Sequence, residues 1–290
     1  MSPTIPAALV TGASTGIGAS IAARLDRLGY RVYAGVRREA DGERLVAGLS
    51  DRSSWLILDV TDQQQVEGAA RAIAAERGAA GLDALVNNAG IAVGGPLEFV
   101  SLDRVRRQLE VNVTGLLAVT QAMLPPLRSA RGRIVNIGSI AGKSVAPMVG
   151  PYCMSKHAVE ALSDGLRLEL AGSGIEISVV EPGAVKTPIW NKGIADLGAV
   201  GETLPPRALE LYGEYLGFFG KLLAANDRRG VSPDLVADAV EHALIAERPR
   251  TRYLVGADAR LRALARRLLP DRWYDAILLA VLRRAQRRLR

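Results

Sequence analysis

The stretch Thr11-Gly-Ala-Ser-Thr-Gly16-Ile-Gly18 constrains the fold more than any other part of the chain. It follows Ala7-Ala-Leu-Val-Thr11, an apolar run short enough to be a buried strand. It precedes Ile21, Ala22, Leu25 and Leu28, which recur at helical spacing. Strand, glycine turn and helix form the opening of a dinucleotide-binding unit. Glycines let the backbone turn tightly and approach a pyrophosphate, and the helix N-terminus then offers N–H groups to the anion. Gly12, Ser14, Thr15, Gly16, Ile17 and Gly18 are therefore the first cofactor-binding candidates.

The same alternation continues along the chain. Further strands are expected at 29–36, 55–60, 82–90, 133–139, 175–181 and 252–256. Helices are expected at 63–77, from Leu102 to a stop at Pro125-Pro126, after Tyr152, and at 234–246. The pattern predicts an α/β fold, a Rossmann-like doubly wound parallel sheet of about seven strands with helices on both faces. No linker divides residues 1–256, which read as one domain. Residues 189–230 lack a clean strand and hold Trp190, Tyr212, Tyr215, Phe218 and Phe219. They read as an irregular lid over a substrate.

Charge separates the end of the chain from its body. Residues 260–290 hold ten arginines against two aspartates, a local +8, so the rest of the chain sums to −1 of the net +7. This argues against nucleic-acid binding by the body. Asp275 to Leu289 reads as an amphipathic helix, with Leu278, Leu282, Ala285 and Leu289 on one face. It either packs over the cleft or a partner subunit, which is preferred, or makes peripheral contact with an anionic membrane surface. The single cysteine, Cys153, and an N-terminus without a signal-peptide pattern fit a reducing, cytoplasmic setting. No run approaches a membrane span.

In open α/β sheets, ligands meet the carboxyl ends of the strands. Those ends carry Arg37 and Arg38, Asp59 and Val60, and Asn88, Ala89 and Gly90. Pro182, Gly183, Val185 and Thr187 follow the sixth strand. Two arginines where an NAD site keeps a carboxylate favour the 2′-phosphate of NADP(H) over NAD(H). Glu39 is the alternative, as a ribose carboxylate.

The stretch Gly132 to Glu169 carries proton chemistry. Ser139 ends a strand, and Tyr152 and Lys156 sit one helical turn apart on one face. A free tyrosine has a pKa of about 10. The Lys156 charge is expected to lower it, while Ser139 holds a substrate oxygen nearby. His157 points elsewhere on the helix, and Cys153 reads as packing. Val145, Met148 and Trp190 are apolar candidates for substrate contact, alongside Ser139 and Tyr152.

These motifs, in this order, resemble the short-chain dehydrogenases/reductases, over about residues 5–256. Thr11 to Gly18 is similar to that family's TGxxxGxG loop and Asn87-Asn-Ala-Gly90 to its NNAG motif. Asn112, Ser139, Tyr152 and Lys156 match its Asn-Ser-Tyr-Lys set. The resemblance is greatest to members acting on steroids, retinoids and other lipophilic alcohols. It implies an NAD(P)-dependent oxidoreductase interconverting an alcohol and a carbonyl, and a homodimer or homotetramer. It also implies that Lys156 binds the nicotinamide ribose and that Asn112 holds a water in a proton relay. The alternative is a catalytically silent NAD(P)-sensing regulator on the same fold. No metal site is expected.

Overall fold

The computed structural model describes residues 5–187 and 204–288. Seven parallel strands form one sheet in the order β3-β2-β1-β4-β5-β6-β7. They are β1 (Ala7–Thr11), β2 (Arg31–Val36), β3 (Ser54–Ile57), β4 (Ala84–Asn87), β5 (Arg133–Ile137), β6 (Glu176–Pro182) and β7 (Arg252–Val255). The order reverses between β1 and β4, the place where such sheets open a crevice for ligands. The central strands are apolar on both faces because helices cover both.

The helices are α1 (Gly16–Arg27), α2 (Glu39–Val46), α3 (Gln63–Arg77), α4 (Leu102–Leu109), α5 (Gly115–Ala130), α6 (Gly150–Glu169), α7 (Pro206–Arg229), α8 (Pro233–Ile245), α9 (Ala257–Leu268) and α10 (Asp271–Arg288). On one face of the sheet, Ile21 and Leu25 of α1 and Val236 and Val240 of α8 pack on Val10, Val86 and Val135. On the other, Val66 and Ile73 of α3 and Val119 and Met123 of α5 pack on Leu9, Leu85 and Ile134.

Several elements depart from the expected pattern. The helix begun at Leu102 does not stop at Pro125-Pro126 but runs to Ala130. Each proline removes one helical N–H, yet Leu127 is fully buried and the Pro126 carbonyl accepts the Leu82 N–H at 2.9 Å. Tertiary packing overrides the local breaker here. The helix ends at Arg131, in the left-handed region at φ 50°. Of the segment expected to be an irregular lid, 206–229 is helical, whereas 189–203 lie outside the described residues. Phe218 and Phe219, which looked exposed in sequence, are buried. Trp190 lies outside the described residues. Glu39, the alternative ribose carboxylate, is the first residue of α2, a helix not anticipated from sequence.

Candidate active site

The glycine turn between β1 and α1 is built for close approach. Gly12 and Gly16 have φ of +62° and +58°, where a side chain is strained. A Cβ on Gly12 would meet the Ala89 Cα at 2.8 Å, and one on Gly18 would meet Asn88 Nδ2 at 2.5 Å. Asn88 fastens the turn by donating from Nδ2 to the carbonyls of Thr11 and Gly12 at 2.9 and 3.0 Å. The Asn88 and Ala89 N–H groups both donate to Thr11 Oγ1 at 3.0 Å. Ser14 and the exposed Thr15 complete the turn. Thr15 is the N-cap of α1 but makes no side-chain cap, and the first turn, which begins Gly16-Ile17, holds no acidic residue. The positive end of the helix is thus left without an anionic side chain.

The other strand ends gather at the same edge of the sheet. Arg37 and Arg38 are exposed, and Arg38 Nε pairs with Asp41 at 2.8 Å. Asp59 Oδ1 accepts from the Thr61 N–H and hydroxyl at 3.0 and 2.8 Å. Burial alone would raise the Asp59 pKa, but these bonds and the charges of Arg107 and Arg37 bring it below the ordinary value. Val60 and Val185 are core residues, so a ligand can meet only their backbone. Gly90 stands against Asn112, with a Cβ position 3.3 Å from Asn112 Oδ1.

Asn112 lies in a π-helical turn, Glu110–Thr114, between α4 and α5, and is buried. Its side chain grips the main chain of Ile91, accepting from N–H at 2.9 Å and donating to C=O at 3.0 Å. It also donates to Ser155 Oγ at 3.1 Å. Gln108, which sequence reasoning missed, repeats the device one turn earlier. Its amide accepts from the Val93 N–H at 2.7 Å and donates to the Ile91 carbonyl at 2.9 Å. A buried glutamine four residues before Asn112 was the available signal. The Asn112 amide therefore clamps the main chain at Ile91 and reaches Ser155, with both of its N–H groups engaged by protein.

Ser139, Tyr152 and Lys156 come together across the β5–α6 connection. Ser139 Oγ accepts from the Ala141 N–H at 3.1 Å. Ser139 is close enough to Tyr152 to favour the ionised phenol. Lys156 Nζ donates to the Ile137 carbonyl at 2.7 Å and lies 5.7 Å from the centre of the Tyr152 ring. Burial pushes the Tyr152 phenol up to about 12, with Ser139 opposing it. Burial also brings Lys156 down to about 8, with Glu160 opposing. The expected depression of the tyrosine by the lysine is thus not met in this geometry, because loss of water outweighs a neighbour turned toward a carbonyl. His157 is exposed and Cys153 buried, both as expected.

Beside this group stands an apolar wall. Met148 takes an unusual left-handed φ of 67° and packs on Phe219, with Val149, Tyr212, Tyr215 and Leu216 around them. Phe99 meets Tyr212 edge-on at 6.0 Å, and the Tyr212 hydroxyl donates to Glu98 at 2.7 Å. Val145 is exposed and instead lines a surface cavity with His157, Arg266 and Tyr274. Pro182 accepts a long 3.5 Å bond from the Ser139 hydroxyl, and Thr187 is buried. Gly183 has no room for a side chain because Asp258 of α9 lies against it. Asp258 Oδ2 accepts the Ala184 N–H at 2.9 Å.

The family model described as short chain dehydrogenase matches residues 6–197. The chain belongs to the short-chain dehydrogenase family. Among relatives in this family, retinol dehydrogenase 5 of Mus musculus is 40% identical over 281 residues, covering 95% of this chain and 88% of that protein. The NADPH-dependent 3-dehydrocapnine reductase of Ornithobacterium rhinotracheale is 35% identical over 275 residues, covering 93% and 95%. A short chain dehydrogenase from Burkholderia cenocepacia J2315, solved in complex with NADP, superposes with a TM-score of 0.71 at 27% identity, covering 97% and 99%. The chain is thus an oxidoreductase of this family, similar to its retinol dehydrogenases.

Proposed function

We propose that this short-chain dehydrogenase interconverts a lipophilic alcohol and its carbonyl, using NADP(H). The observation that carries the reading is Tyr152, beside Ser139 and Lys156, next to the apolar wall of Met148 and Phe219. The glycine turn fits a dinucleotide: its backbone is closed from below by Asn88 and Ala89, and it ends at an uncapped helix N-terminus. Gly12 to Gly18, Asn88 to Gly90 and the Pro182–Thr187 segment would hold that group. When bound, it supplies or accepts the hydride.

The chain's own residues handle the proton and the substrate oxygen. In the reducing direction the Tyr152 hydroxyl donates its proton to the developing alkoxide and becomes a phenolate, and in the oxidising direction that phenolate accepts the alcohol proton. Ser139 fixes the oxygen beside it. Lys156, as a cation, stabilises negative charge on that oxygen and on the phenolate. A silent sensor has no need of this arrangement.

Arg37 supports the NADP preference. It is exposed at the end of β2, and its charge reaches Asp59. The NADPH-dependent relative and the NADP-bound neighbour point the same way. The test is a screen of retinols, hydroxysteroids and small polar alcohols with both cofactors in parallel. Turnover confined to small polar sugars would overturn the lipophilic reading. A preference for NADPH retained after Arg37→Ala would overturn the role of Arg37.

Two features of the surface extend the proposal. No described helix is long and apolar enough to cross a membrane. Trp273, Ile277 and Val281 recur every fourth residue on α10, all exposed, with Arg283 and Arg284 following. That stripe suits peripheral contact with an anionic lipid surface. On α6, exposed Met154 and Leu168 support pairing with a second copy, which light scattering would measure.

A further inference from the structure

Beneath Ser139 lies a charged cluster with no part in the proton transfer just described. Glu181, one residue before Pro182, is fully buried. Glu160, one helical turn after Lys156, is buried too. The two carboxyls face the same pair of cations. Lys143 Nζ is 3.3 Å from Glu160 Oε2 and 3.0 Å from Glu181 Oε1. Arg252 Nε is 2.9 and 3.3 Å from the same two oxygens. Arg252 also holds Asp164 at 2.7 Å, and Asp164 pairs with Arg167 at 2.9 Å. With Lys156, these are the charged groups that face the pair from α6, from β7 and from the turn after Gly142. Glu160 Oε1 and Glu181 Oε2 are buried with no hydrogen-bond partner.

Two carboxyls gathered around the same cations out of water resist ionising together, because desolvation and mutual repulsion each favour keeping one proton. The Glu181 carboxyl is accordingly pushed up to about 7, by burial first and by Glu160 second, with Lys143 opposing. The pair is also the floor of the turn that presents Ser139. A Cβ on Gly138 would lie 3.3 Å from Glu160 Oε1, and one on Gly142 would lie 3.1 Å from Glu160 Cγ. On the other side, Ser139 donates to the carbonyl of Pro182, the neighbour of Glu181.

We propose that Glu160 and Glu181 share one proton and act as a positioning pair, which holds the Ser139 turn against α6 and loosens it when that proton is lost. Ionisation also adds negative charge one turn from Lys156. The effect on turnover rests on the roles given above to Ser139, Tyr152 and Lys156, whereas the shared proton does not.

The primary test is infrared difference spectroscopy of the full chain, titrated across neutral pH. A protonated-carboxyl band should vanish near neutrality in the unmodified protein. It should be absent in Glu181→Gln and shifted to lower pH in Glu160→Gln. Backbone hydrogen exchange at residues 138–144 should quicken through the same transition in the unmodified protein and not in Glu181→Gln. Stability gives a third readout with a definite sign. A carboxyl raised from 4.5 to about 7 contributes stability that is complete below 4.5 and lost as pH rises through about 7. The unfolding temperature should therefore fall over that window and lose this fall in Glu181→Gln. No titrating band in the folded protein, or the same band in Glu181→Gln, overturns the shared proton. A titrating band with unchanged exchange at 138–144 overturns the positioning role. If Glu181→Gln does not fold, a band unmoved in Glu160→Gln is the overturning result. Failure to turn over any alcohol counts against the enzymatic role alone, because none of these three measurements uses activity.

Discussion

At the scale of single residues, burial decides the acid–base behaviour of the site. Tyr152 stays protonated through the neutral range, since its phenol is held at about 12. It is therefore ready to donate, and carbonyl reduction should be flat near neutrality. Reduction should then fall as pH climbs past about 8, where Lys156 loses its charge. Alcohol oxidation needs Tyr152 to accept a proton and Lys156 to stay charged, so it too should lose rate above about 8. Rate–pH profiles in both directions check this; oxidation that keeps rising past about 8 would contradict it. Tyr152→Phe should lower kcat by about 10²–10⁴-fold while dinucleotide affinity, read by fluorescence titration, stays unchanged. At the other end of the site, Gly18→Ala places a methyl 2.5 Å from Asn88 Nδ2. That variant should bind the dinucleotide far more weakly, in the same titration, while still folding.

At the scale of elements, the junction of α4 and α5 is the least ordinary piece. A π turn places Asn112 and Gln108 so that both clamp the chain at 91–93. Two buried amides serve here as a substitute strand for a loop that leaves the sheet. Gln108→Leu keeps the volume but leaves the Val93 N–H without its partner, while Asn112 still donates to the Ile91 carbonyl. It should cost about 1–3 kcal/mol, measured by urea unfolding, because a buried main-chain N–H would be left unpaired. A loss within experimental error would mean that this loop is not held by Gln108.

At the scale of the whole molecule, the basic extension divides into two parts with different attachments. α9 belongs to the site: Asp258 secures the Gly183–Ala184 turn, and Arg262 donates to the Ser144 carbonyl at 3.2 Å. α10 turns Tyr274 inward, with Leu278 and Leu282 half-buried, and leaves Trp273, Ile277 and Val281 in solvent. A chain ended at Pro270 keeps the first set of contacts and loses the second. It should retain turnover of a water-soluble alcohol and lose flotation with phosphatidylserine vesicles. A chain ended at Gly256 should lose activity as well, since Asp258 goes with it. Equal flotation of the full-length chain and the chain ended at Pro270 would end the membrane proposal.

The sequence by itself determined the architecture and the chemical cast. Glycine spacing, the alternation of apolar strands with periodic helices, and the Tyr152/Lys156 interval are local patterns, and local patterns are legible without coordinates. They placed the seven parallel strands and the residues that meet at their ends. Four things waited on tertiary structure. The helix through Pro125-Pro126 persists because buried contacts outweigh a missing N–H. Residues 206–229 form a helix that turns Phe219 onto Met148. Tyr152 and Lys156 are both shifted toward their neutral forms, since burial depends on everything packed around them. The pairing of Glu160 with Glu181 joins residues from a helix and a strand that only the fold brings together. Each is a balance between distant parts of the chain, and such a balance has no signature in spacing or composition.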